Sequence, residues 1–187
     1  MRTTLLAVAC VLLMTGACST GGTATPQTTT TVSAPVTTTA AAVTRPQPVT
    51  LDGKEPCSLL RSEQLAALKI DRAGRPLEVS ALKATGCTWT VTGASNILVP
   101  VLHEGIETWT DGKRTGQPEE VDPVAGFPAI TVPIPNSPDR CDLMIDTADD
   151  QYLAVAFSVG LGFEDRFPEP CDGARKLAEA AMQNLLK

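Results

Sequence analysis

Two segments of the chain begin Glu-Pro-Cys: Glu55-Pro56-Cys57 and Glu169-Pro170-Cys171. Each of these cysteines has a counterpart thirty residues away, Cys87 after the first and Cys141 before the second. An even set of four in an exported chain implies two disulfides, with three possible pairings. No Cys-x-x-Cys pair supplies metal-ligand spacing, so a four-thiolate metal site is disfavoured.

The four cysteines sit in two kinds of local pattern. Cys87-Thr-Trp-Thr-Val91 alternates, with Cys87, Trp89 and Val91 on one face. Cys141-Asp-Leu-Met-Ile-Asp146 alternates too, and after a turn at Thr147 to Asp150, Leu153, Val155, Phe157 and Val159 repeat the pattern, which predicts a β-hairpin. Asn96 to His103 and Ala129 to Ile134 are further strand candidates, pushed toward edges or bulges by Pro100 and Pro133. Cys57 and Cys171 instead open segments of helical period. In the last one, Cys171, Ala174, Leu177, Ala178, Ala181, Met182 and Leu185 form one apolar stripe behind Pro170, which suits a first helical position. The first is shorter, with Ser62 as N-cap, Leu65 and Leu68 inward, and an end between Asp71 and Pro76.

Helix, strands, hairpin, helix predicts an α+β domain: an antiparallel β-sheet with an N-terminal and a C-terminal helix packed on it. Tying each helix entrance to its nearest strand cysteine selects Cys57–Cys87 and Cys141–Cys171. The rival pairing, Cys57–Cys171 with Cys87–Cys141, would staple helix to helix and strand to strand. Closing a loop of about 30 residues makes each bond worth roughly 3 to 4 kcal/mol in the chain-entropy picture.

The front of the chain states the compartment. Arg2, an apolar run over Leu5 to Met14, and the small residues Thr15-Gly16-Ala17 follow the order of a secretory signal, too short to span a bilayer. Cys18 directly after Gly-Ala makes residues 1–17 resemble a bacterial lipoprotein signal. That resemblance implies lipid attachment at Cys18, the alternative being a signal cut nearby to release a free secreted protein. Residues 18–50 then form a Thr-, Pro- and Ala-rich tether with Arg45 as its one charge, too poor in large apolar side chains to fold. Extended, it reaches on the order of 100 Å. Such tracts are also glycosylation stalks in exported proteins.

Residues 51–187 remain as a single domain. There 21 Asp and Glu face 13 Lys and Arg, the other two bases being Arg2 and Arg45, for a net charge of −8. That sign disfavours nucleic acid as a partner.

Several of these residues together resemble a known family. Pro56-Cys-Ser-Leu-Leu60 precedes a Cys87-x-Trp89 strand. Val124-x-Gly126-x-x-Ala129 precedes Cys141-x-Leu143, and Pro170-Cys-x-x-Ala-x-x-Leu-Ala178 closes the pattern. This is similar to the actinobacterial lipoprotein family called domain of unknown function 3558. The resemblance implies a lipid-anchored envelope protein of a high-GC Gram-positive bacterium and carries no catalytic residues with it.

Catalytic patterns are sparse. His103, the sole histidine, reads as a strand-end residue at the rim of the sheet. Asp146, Asp149 and Asp150 lack the glycine and terminal glutamate of a calcium loop and read as a solvated hairpin tip. Gly160-Leu161-Gly162 has no following helix to cradle phosphate, and Trp109 reads as a loop aromatic folded onto its own core. The expectation is therefore a non-catalytic binding module without cofactor or metal. It would sit on the extracytoplasmic face of the cell membrane through Cys18, with another envelope protein as partner. A carrier of a small or lipidic ligand between sheet and helices is the alternative, and a carboxylate-based wall hydrolase the second.

Overall fold

The structure is a computed structural model, and it describes residues 44–187. The signal, Cys18 and most of the tether lie outside the described residues. Seven strands form one sheet: β1 (Arg75–Val79), β2 (Ala84–Val91), β3 (Ala94–Val101), β4 (Glu119–Val124), β5 (Phe127–Thr131), β6 (Arg140–Ala148) and β7 (Gln151–Val159). Their spatial order is β1-β2-β3-β7-β6-β5-β4, with every neighbouring pair antiparallel. Three helices accompany it: the single turns α1 (Ser62–Leu65) and α2 (Glu107–Thr110), and the long α3 (Pro170–Leu185).

The predicted hairpin is β6–β7, with a tighter turn than expected. Thr147 and Ala148 stay near strand geometry and only Asp149-Asp150 turn, Asp150 at φ 57°. Aspartate tolerates that left-handed conformation better than most side chains. The two edge strands escape the alternation rule. β1 carries Pro76 among charged residues, and β4 carries Glu119, Glu120, Asp122 and Pro123, with a register shift between Val121 and Val124. Charge and proline on an edge block pairing with other chains, and they also hide the strand from a search for apolar periodicity.

Pro100 corrects one expectation. β3 is interior to the sheet, not an edge, pairing with β7 along Ala94–Val101. Its pairing with β2, however, stops at Leu98, so the proline lies where that side of the ladder has ended. Pro133 lies beyond β5, whose observed span is Phe127–Thr131 in place of Ala129 to Ile134.

α3 lies across one face of the sheet and buries the middle of the predicted stripe: Ala174, Leu177, Ala178, Ala181 and Met182 are fully covered, while Leu185 is half-buried and Cys171 exposed. They meet Cys141, Leu143, Ile145, Leu153, Val155 and Phe157 from the hairpin. Burying Leu177 and Met182 alone stabilises by about 1.5–3 kcal/mol each. The N-terminal helix shrinks to a 3-10 turn at Pro56–Ser58 and the one turn of α1, whose Arg61 N–H donates to Gln64 Oε1 at 2.9 Å. Arg61, not Ser62, therefore occupies the capping position. This segment leans on α3: Asn184 Nδ2 donates to the Leu59 carbonyl at 2.8 Å, and Gln64 Nε2 to the Ala180 carbonyl at 2.9 Å. The pairing is Cys57–Cys87 and Cys141–Cys171, each bond pinning a helical entrance to a strand.

Residues the composition placed in the tether pack here as well. Val49 is buried, and its N–H donates to the Thr147 carbonyl at 2.7 Å. Arg45 pairs with Asp149 and, at 3.4 Å, with Asp146. The described chain therefore begins beside the β6–β7 turn.

Gly173, on the buried side of α3, touches the Phe157 ring so closely that a β-carbon there would overlap it. Alanine should gain about 1 kcal/mol of helix propensity, yet overpacking a rigid core costs about 1–3 kcal/mol. Gly173→Ala is accordingly expected to lower the urea midpoint. A raised midpoint would show that the helix–sheet seam is loose.

Candidate functional site: an alanine-floored trough on the open face

β7 presents large side chains to α3 and, after Tyr152, small ones to the other face. Cross-strand register arranges the latter in rows: Val101–Tyr152–Asp146, Val99–Ala154–Met144, Ile97–Ala156–Asp142 and Ser95–Ser158–Arg140. Because Ala154 and Ala156 stand between longer neighbours on β3 and β6, the middle of the sheet is sunken. Neighbouring strands are about 4.8 Å apart, so the depression is about two strand spacings wide, the width of one extended chain.

One wall is Leu77 and Val79 of β1 with Leu82 of the following 3-10 turn, and the other is Trp109 and Ile134. The space between them is about 470 Å³, inside the usual range of small-molecule sites, about 300–1,000 Å³. A shallower depression of about 780 Å³ continues past Trp109 and Ile134 over Val132 and Pro133. The side under α3 is filled instead: the core there runs unbroken from Leu59 and Trp89 to Met182.

A polar brace fixes the Trp109 wall. Arg114 pairs with Glu104 and donates from Nη1 to the Ala81 carbonyl at 2.8 Å, while Tyr152 Oη donates to Glu104 Oε1 at 3.0 Å. The Arg114 guanidinium lies 5.3 Å from the centre of the Trp109 ring. Trp109 is only 8% exposed. Its indole N–H bears on the Tyr152 phenol yet makes no well-formed hydrogen bond among the described residues. Burial pushes the Tyr152 phenol well above its ordinary value, opposed in part by Trp109 and Arg114.

At the other end of the floor stand Arg140 and Asp142, joined by Arg140 Nε donating to Asp142 Oδ1 at 2.9 Å. The Asp142 side chain is 14% exposed and that of Arg140 39%. Burial raises the Asp142 pKa, and the bond and charge of Arg140 pull against that rise. A desolvated carboxylate is thus the foot on which a half-exposed guanidinium stands.

The other residues singled out in the sequence do not converge. His103 is exposed just past the end of β3. Asp149 stands at the hairpin tip, but Asp146 lies within β6 and is half-buried rather than solvated; Arg45 engages both, and burial raises the Asp146 pKa while Arg45 lowers it. Gly160-Leu161-Gly162 is a loop whose Leu161 is 90% exposed. Trp109 is folded onto the core, as expected, but in a helical turn rather than a loop. The trough itself was not anticipated. Its one trace in the sequence is the Tyr152, Ala154, Ala156, Ser158 series, three small residues on one face of a strand whose other face is bulky.

The family profile described as "Protein of unknown function (DUF3558)" matches residues 13–184. No curated protein and no solved structure matches the chain.

Tyr152 is the only tyrosine, so its ionisation can be followed by tyrosinate absorbance. A phenol whose folded pKa is raised contributes stability that is fully present below its unfolded value of about 10 and is lost as pH rises toward the folded one. Tyrosinate absorbance should therefore stay flat through pH 10 and rise only with alkaline unfolding. An ordinary titration curve near pH 10 in folded protein would show the Glu104–Arg114–Tyr152 brace to be open.

Proposed function

The chain belongs to the DUF3558 family, whose description carries no activity, and we propose that it is a lipid-anchored, extracytoplasmic module that works by binding. Cys18 holds it to the membrane and the trough over Ala154 and Ala156 takes an apolar guest. The observation that carries this reading is the contrast between the two sheet faces. One is packed solid beneath α3, and the other leaves about 470 Å³ of apolar-walled space open to solvent. Between a protein partner and a small ligand, the walls favour the ligand, because a sunken channel two strand spacings wide excludes a flat partner surface. The ligand seat is the outer face rather than the space between sheet and helices. No helix of the described residues is long and apolar enough to cross a membrane, so attachment in this reading rests on the lipidated cysteine and its tether.

Two measurements test the parts separately. Cys18→Ala should move the protein from the membrane fraction to the soluble extracellular fraction, and unchanged membrane fractionation would refute the anchor. The full-length Cys18→Ala chain should enhance the fluorescence of N-phenyl-1-naphthylamine, and Ala156→Leu added to it should remove most of that enhancement with the near-ultraviolet circular dichroism unchanged. Enhancement that ignores Ala156→Leu would place the apolar guest elsewhere.

A further inference from the structure

The guest of the trough can be narrowed by the charge at its mouth. Among the described residues, Arg140 is the one basic residue lining it, and Asp142 is the acidic one whose side chain faces the floor. Asp142 engages only the Nε of Arg140. Among the described residues, neither terminal nitrogen of that guanidinium donates a hydrogen bond. The guanidinium is therefore held in place from behind, with its fork of two terminal N–H groups free at the end of an apolar channel. A planar fork of this kind matches a carboxylate in a two-point contact, with geometry that an ammonium lacks.

From these placements we propose that the trough binds a single-chain fatty carboxylate. The acyl chain would lie over Ala154 and Ala156 against Val99 and Met144, and the carboxylate would bridge the terminal nitrogens of Arg140. The proposal rests on the trough being the binding site and goes beyond that reading by naming the ligand class. One chain, not two, follows from the spacing of β3 and β6 either side of the alanines. A single negative charge follows from the acid already beside Arg140 and from the acidic balance of the whole domain, both of which oppose a dianionic phosphate head. A cationic head is disfavoured because it would meet the guanidinium, while Asp142 is already neutralised by it. Glu78 of β1 alternates with the wall residues Leu77 and Val79, and its side chain accepts from Thr85 Oγ1 at 2.5 Å on the other face of the sheet.

The experiment is displacement of N-phenyl-1-naphthylamine from the full-length Cys18→Ala chain by four probes: myristate, tetradecanol, tetradecylamine and tetradecyl phosphate. Myristate should displace at the lowest concentration, by about tenfold or more over the alcohol, the scale of a charge-assisted contact. With each displacement scaled to the variant's own dye affinity, Arg140→Gln should erase that advantage, and Arg140→Lys, which keeps the charge and loses the fork, should restore only part of it. Equal displacement by myristate and tetradecanol, preference for the amine or the phosphate, or an Arg140→Gln variant that keeps the myristate preference would overturn the ligand assignment. Dye binding that still responds to Ala156→Leu in such a case would leave the trough standing as the binding site. Failure of the dye to bind at all would remove both.

Discussion

Period-two alternation along β7 divides this molecule into its two faces. Leu153, Val155, Phe157 and Val159 point one way and build the seat of α3, while Tyr152, Ala154, Ala156 and Ser158 point the other way. A strand buried on both faces ordinarily carries large side chains on each. Here one face is bulky and the other steps down to alanine at mid-sheet, which leaves the channel. Shifting β7 by one residue would exchange the faces, setting alanines under α3 and phenylalanine in the trough.

The disulfides protect that asymmetry. Cys141–Cys171 joins β6 to the first turn of α3, and Cys57–Cys87 joins the N-terminal 3-10 turn to β2. Both act on the packed face, so roughly 3 to 4 kcal/mol of cross-link stabilisation each lies where no guest needs to enter. The open face is held by the Glu104–Arg114–Tyr152 brace, whose strength depends on water staying out. Arg45 ties the start of the described chain to the β6–β7 turn, at the Tyr152 end of the trough, whereas Arg140 stands at the far end. In the proposed reading, the headgroup end of the channel therefore points away from the point where the tether joins.

Much of the fold was legible. The stripe from Ala174 to Met182 and the alternation from Cys141 to Val159 are strong periodic signals, and both match what packs. Equal spacing of the cysteines, with helix-like and strand-like contexts, was enough to choose the pairing. β1 and β4 escaped because edge strands carry proline and charge for the same reason that they are edges. Pro100 misled because the rule about proline in sheets concerns one side of one ladder, and a sequence does not say where β2 stops. The N-terminal helix was overestimated, since Leu65 and Leu68 are satisfied by a single turn leaning on α3.

The candidate site was the least legible part. Ala154 and Ala156 attract no notice as residues, and Arg140 and Asp142 look like an ordinary surface pair at i, i+2. A strand's own sequence states which of its residues share a face, because side chains alternate by covalent geometry. The acidic balance, the cysteine spacing and the two faces of β7 were therefore determined by the sequence alone. Only tertiary structure decided that β3 and β6 flank β7, that Leu82 and Trp109 rise as walls, and that a half-buried carboxylate holds one guanidinium beside the gap. Cavities are made by what neighbouring strands do not fill, and neighbours distant in sequence are chosen by the packing of the whole sheet.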